Sequence, residues 1–501
     1  MLFNSAIFVF AYLPLVWLGY LIALRLPWAR AGIAWLAIAS LFFYGYWSPA
    51  ALWLLSASIL FNYLIGRCLD RSSWNLPEPT RRTLLMLAVS LNLATLMYYK
   101  YANLLLSSAA LIAGDGVGDV PLLNVVLPIG ISFYTFTQIA YIVDSYASGK
   151  AEHSFIAYVL FVSFFPHLIA GPVLHHSEMM PQFLGERKST LQTLRFALII
   201  EGLLFFACGM AKKVIIADSI APAANHAFTL AESGTIGLAD SWFGALAYTT
   251  QIYFDFSGYS DMAIGLALLF GIRLPLNFNS PYQARSIIAF WRCWHMTLSR
   301  FLRDYLYVPL GGNRFGPARR QLNLMLTMLL GGMWHGASWT FLVWGGLHGV
   351  YLQINHAWRH LLASSPRLQD WTLRHAPAVQ LCSWVLTFLA VVVAWVFFRA
   401  ESFTGSANML RGMFAGSASL HADLIEARTL FYIAAGLLIA WRAPNSQTLL
   451  SGIGDKLHAR WPAFRQPFLQ GSQFGAVAFL IVALTLISVS WGTNEFIYFN
   501  F

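Results

Sequence analysis

His295 and His335 stand where an ionisable side chain is least expected. Each lies in a stretch built largely from aromatic and aliphatic residues: Phe290-Trp291-Arg292-Cys293-Trp294-His295-Met296-Thr297, and Gly331-Gly332-Met333-Trp334-His335-Gly336-Ala337. An ionisable residue inside an apolar segment is costly and by default marks a functional position. A neutral imidazole accepts a proton from a hydroxyl near pH 7, which is the step that acylation of that hydroxyl requires. Glycines flanking His335 let a backbone or ligand approach closely. The other reading is a hydrogen-bonded histidine of an aromatic belt, and the residues alone weigh the two equally. His348, in Trp344-Gly345-Gly346-Leu347-His348-Gly349, reads first as structural.

Charges around these histidines add candidates. If residues 290–307 are one helix, Trp291, Trp294, Leu298, Phe301, Leu302 and Tyr305 form an apolar face, with Arg292, His295, Ser299 and Arg303 opposite. Such a helix lies in a membrane interface and touches lipid phosphate, or it lines an entrance and meets an anionic ligand. Asp255 and Asp261, in an apolar window, read first as members of buried ion pairs or caps. The segment Leu274-Pro275-Leu276-Asn277-Phe278-Asn279-Ser280-Pro281-Tyr282 breaks any helix and needs protein or a cavity around it.

The elements that position these residues must be membrane helices. The chain has 501 residues, 58% hydrophobic and only 10% charged, against about 25% charged in a typical soluble domain. That excludes soluble multi-domain, disordered, collagen-like and coiled-coil classes. Apolar runs are continuous rather than alternating, so helices are expected and a barrel is not. Windows fall near 6–24, 31–48, 51–66, 83–112, 122–146, 155–173, 193–216, 240–272, 322–342, 343–361, 378–398, 428–441 and 473–492. Several are short or broken by Gly and Pro. The expectation is an all-α polytopic integral membrane protein with 10–13 membrane helices, some re-entrant, in a single domain over residues 1–501.

Lys and Arg number 31 against 21 Asp and Glu, a formal net charge of +10. Basic loops facing the cytoplasm account for this better than nucleic acid, which is not expected as a partner. Arg25, Arg30, Arg67, Arg71, Arg81 and Arg82 then lie inside and the N-terminus outside; the loop Gly114–Val120, with Asp115 and Asp119, fits the outside. Glu186-Arg187-Lys188 with Lys212 and Lys213 form a further basic group. Met1–Tyr20 has no basic leader and no cleavage site, so it reads as a retained span. Cys68, Cys208, Cys293 and Cys382 are scattered, which argues against a zinc site or disulfide framework; no metal is expected.

Several stretches together resemble the membrane-bound O-acyltransferase family, in the bacterial branch of the alginate O-acetyltransferase membrane subunit and the membrane protein of teichoic-acid D-alanylation. They are Pro128-Ile129-Gly130-Ile131-Ser132-Phe133-Tyr134-Thr135-Phe136, Phe165-Pro166-His167-Leu168-Ile169-Ala170-Gly171-Pro172, Asp255–Asp261, Asn277–Tyr282, Trp291–Gly312 and Trp334-His335-Gly336-Ala337. The signature core covers about residues 122–351. Residues 357–501 read as additional membrane helices.

The resemblance implies a ring of helices around a central funnel, with His335 as the essential residue and His295 as a second signature residue. It implies O-acetyl transfer from a cytoplasmic thioester, acetyl-CoA as a substrate with no bound cofactor, to an exported polysaccharide such as alginate or acetylated cellulose. The setting is a bacterial inner membrane, exopolysaccharide biosynthesis and biofilm, with a periplasmic acyltransferase partner. On that basis His335 is the general base, and His295 positions the donor or stabilises the oxyanion. Arg292, Arg300 and Arg303 hold phosphates of the donor. Asp304 orients His295 or pairs with an arginine, and Trp334, Asn277 and Asp261 support the site. Cys293 departs from the branch, where a basic residue is expected, and leaves Arg292 as the base there. The competing readings are a polysaccharide exporter, which predicts internal repeats, and a non-catalytic scaffold of a synthase complex.

Overall fold

The computed structural model describes residues 1–113, 122–185, 196–234, 236–416, 426–453, 467–491 and 496–497. The acidic loop with Asp115 and Asp119, and Glu186, Arg187 and Lys188, lie outside the described residues.

Among the described residues the secondary structure is helical, with no strand. The apolar windows map onto helices Leu13–Ala23, Ala31–Trp47, Pro49–Leu69, Glu78–Leu96, Ile131–Ser148, Phe196–Ala211, Leu238–Leu269, Trp339–Ser364, Ala376–Arg399, Ala427–Arg442 and Pro467–Trp491. Among the described residues three helical stretches are both long and apolar enough to cross a membrane: Pro49–Leu69, Glu78–Ala110 and Ala376–Arg399. Shorter apolar helices include Phe8–Ala23, Ala31–Trp47 and Gly475–Val489. Large apolar side chains point outward, as with Leu15, Trp53, Leu386 and Phe431. Contiguous exposed apolar surface is uncommon on soluble monomers; lipid is the solvent such a surface suits.

Two windows are corrected. The 155–173 window is two short helices, Phe155–Ser163 and Phe165–Leu168, because Phe164 leaves the helical region and Pro166 starts a new turn. The 322–342 window does not run through His335. Helix Gly316–His335 ends there, because Gly336 is extended and Ser338 opens the next helix, its hydroxyl accepting from the Thr340 amide at 3.3 Å.

The chain clusters into two compact units, each discontinuous in sequence. The first comprises Met1–Met210, Tyr259–Pro275 and Leu450–Phe499. Its helices are tied by buried amides: Asn62 donates to Asn92 and Gln138 (both 3.1 Å), Asn92 returns a bond at 2.7 Å, and Gln138 donates to Ser58 at 2.9 Å. Such side-chain bonds satisfy polar groups where water is excluded. Arg81 belongs to this framework and is not a free loop charge. It is buried, donating to the carbonyls of Leu69 and Tyr146 and to Glu78.

The second unit comprises Ala211–Gly258, Leu276–Leu449 and Asn500–Phe501. Lys213 is likewise not a loop base. It is buried in a π-helical turn, Lys212–Ala217, with Asp218 at 2.7 Å and Asp255 at 2.8 Å. Asp255 is thus a member of a buried ion pair, which satisfies a charge that would otherwise be prohibitive there. Helices Gly316–His335 and Trp339–Ser364 pack backbone to backbone in this unit. A Cβ at Gly332 would strike the Phe341 carbonyl, and one at Gly345 the Met328 carbonyl. Only glycine allows that approach.

Candidate active site

Residues 290–307 are not one amphipathic helix. Ser286 caps a short helix, Ile287–Trp291, by accepting from the Ala289 amide at 3.1 Å. The chain then turns, and His295 adopts a left-handed conformation (φ 43°, ψ 54°) before helix Met296–Leu302 and the π-helical turn Arg303–Tyr307. For a residue with a Cβ this conformation costs about 1–3 kcal/mol and persists only where its surroundings hold it. Two backbone bonds do so: Asn279 N–H donates to the Cys293 carbonyl and Met296 N–H to the Asn277 carbonyl, both at 2.9 Å. The break predicted at 274–282 is therefore a strap, with Asn277 and Phe278 buried in protein.

The strap also sets the His295 ring. The Asn277 side-chain carbonyl accepts from His295 Nδ1–H and from the Thr297 hydroxyl, each at 2.9 Å. With its proton on Nδ1, neutral imidazole carries its lone pair on Nε2. That nitrogen is buried and has no hydrogen-bond partner among the described residues. Phe256 meets the ring edge-on at 4.8 Å.

His335 ends its helix, and its ring centroid lies 6.4 Å from that of His295. Trp334 stands beside both, 5.0 Å from His335 and 6.1 Å from His295. Trp344 and Phe398 close the shell around His335 at 5.0 and 5.1 Å. Both imidazoles are buried, at 0% and 3% exposure. Two basic rings therefore share an aromatic enclosure where charge is poorly solvated, a setting suited to proton transfer between neutral partners.

The structure brings together His295, Asn277, Trp334 and His335. Arg292 is exposed, and Arg300 is half-buried on helix Met296–Leu302. Arg303 and Asp304 pair with each other through two bonds, at 2.7 and 3.1 Å, so the group orienting His295 Nδ1 is Asn277, not Asp304. Asp261 is buried in the first unit. Sequence reasoning overlooked Thr297, Phe256, Trp344 and Phe398. Thr297 carried no signal, and the three aromatics are indistinguishable from core until the fold places them.

A family model described as MBOAT, membrane-bound O-acyltransferase family, matches residues 40–398. The chain is 41% identical over 441 residues to the peptidoglycan O-acetyltransferase of Helicobacter pylori, covering 82% of this chain and 80% of that protein. It is 43% identical over 443 residues to a protein of Azotobacter vinelandii named "Probable alginate O-acetylase AlgI", covering 88% and 83% respectively. A more distant relative is the teichoic acid D-alanyltransferase of Streptococcus thermophilus, 28% identical over 243 residues, or 46% of this chain and 57% of that one.

Proposed function

The chain belongs to the membrane-bound O-acyltransferase family, and from that premise we propose that this membrane-embedded acyltransferase moves an acetyl group from a cytoplasmic thioester, acetyl-CoA, toward O-acetylation of an exported polysaccharide. The observation that carries the reading is the buried pair His295 and His335, 6.4 Å apart between ring centroids within an aromatic shell. Relatives named for alginate and peptidoglycan support a polysaccharide acceptor. An alginate- or cellulose-like polymer fits, reached directly or through a periplasmic acyltransferase partner. The same relatives support a bacterial inner membrane; a periplasmic N-terminus rests on the Lys and Arg distribution alone.

In the proposed reaction His335 takes the proton of the acceptor hydroxyl as that oxygen attacks the thioester carbonyl carbon. The tetrahedral intermediate collapses, the carbon–sulfur bond breaks, and His335 returns the proton to the departing thiolate. His295, held in register by Asn277, accepts through its Nε2 lone pair from the acceptor hydroxyl and so positions that group; a lone pair there does not stabilise an oxyanion, which removes that expected role. Arg292, Arg300 and Arg303 provide cationic contacts for the phosphates of the donor.

The test uses a deletion strain of the host complemented with wild type, His335→Ala or His335→Gln. Acetyl ester on the exported polymer is measured beside membrane protein level. A general base supplies about 10²–10⁴-fold, so both variants should be present in the membrane while acetylation is lost and polymer yield kept. Normal acetylation would remove His335 from the base role. Loss of polymer export would favour an exporter.

A further inference from the structure

His348 takes no part in the reaction above, yet its geometry equips it for one. It lies on helix Trp339–Ser364, four residues after Trp344, and is fully buried. Its ring stacks on Phe290 at 5.9 Å and meets Trp344 at 4.9 Å; Trp344 in turn touches His335 at 5.0 Å, among other aromatic rings. Trp291 Nε1–H donates to His348 Nδ1 at 3.2 Å. An indole nitrogen only donates, so Nδ1 must carry a lone pair, and the single proton of the neutral ring sits on Nε2. Nε2 is buried, and no group among the described residues accepts from it. Buried donors are nearly always paired.

His295 and His348 thus present opposite chemistry. Asn277 leaves His295 with an accepting Nε2, and Trp291 leaves His348 with a donating one. We propose that His348 Nε2–H donates to the carbonyl oxygen of the acyl donor, and to the oxyanion formed when the acceptor hydroxyl attacks it. The proposal rests on the acyl-transfer reading and adds an electrophilic partner to its base. The proton stays on His348 throughout. The new carbon–oxygen bond forms on attack, and the electron pair gained by the carbonyl oxygen re-forms the C=O bond as the carbon–sulfur bond breaks and the thiolate leaves.

The test measures initial rates of labelled acetyl transfer from acetyl-CoA into polymeric product in host membrane vesicles, with thermal melting of each variant as the folding control. His348→Gln keeps an N–H donor near the Nε2 position but loses the stacked ring. His348→Phe keeps the ring and loses the donor. Loss of one oxyanion donor lowers kcat by about 10²–10³-fold. His348→Phe should show that loss with KM for acetyl-CoA unchanged, and His348→Gln should recover most of it. Trp291→Phe, which frees the tautomer, should lower the rate without lowering the melting temperature. A fully active His348→Phe beside an impaired His348→Gln would make the ring a packing element and overturn the proposal. Should both His348 variants fail to fold, an unchanged rate in Trp291→Phe overturns it. His335→Ala runs in parallel: full activity there defeats the acyl-transfer reading itself, whereas loss there with an active His348→Phe defeats only the role of His348.

Discussion

Asn277 does more at the site than its place in a proline-rich break implies. Its backbone carbonyl holds the Met296 amide, and its side-chain carbonyl holds His295 and Thr297. Removing the side chain frees a ring that is packed in a strained turn. A small misplacement of a reacting group costs roughly 10²-fold in rate. Asn277→Ala should therefore lower the acetyl-transfer rate by that order with membrane level kept. An unchanged rate would mean that the orientation of His295 is irrelevant to turnover.

At the scale of elements, the close pairing of helices Gly316–His335 and Trp339–Ser364 brings His335 and Trp344 together. Gly345 and Gly346 are neighbours in sequence with opposite tolerances. A Cβ at Gly345 would strike the Met328 carbonyl, whereas one at Gly346 would touch Leu329 at 3.5 Å, an ordinary contact. Gly345→Ala should destabilise by about 1–3 kcal/mol through overpacking, and separate the two rings. Gly346→Ala should be neutral, or stabilising by up to ~1 kcal/mol from helix propensity. Thermal melts of the detergent-solubilised variants test this; equal melting temperatures would show that the helices can part without cost.

For the whole molecule, lipid replaces water as the solvent of the outer surface. Leu386, 67% exposed on helix Ala376–Arg399, represents that surface. An arginine at the centre of a membrane helix raises the insertion free energy by about 2.5–3.5 kcal/mol. Leu386→Arg should reduce the amount of protein recovered in the membrane fraction, whereas a core-facing reading would leave room for no such simple effect. Undiminished recovery would mean that this face does not meet hydrocarbon.

Composition and periodicity determined much of this protein by themselves. Continuous apolar runs can only be satisfied as helices in lipid, because each backbone group must bond within its own segment. The positions of His335, His295 and the Asn277 break were legible for the same reason: polar or helix-breaking residues stand out against an apolar background. Only tertiary structure decided how they act. A regular helical reading of residues 290–307 gave no hint that His295 turns left-handed, since two long-range backbone bonds impose that conformation. Nor could local pattern reveal that Asn277 and Trp291 set opposite tautomers on His295 and His348, or that Lys213 is an ion-pair partner of Asp255. Those partners are distant along the chain, and a hydrogen bond depends on where atoms meet in space, which residue type and spacing do not encode.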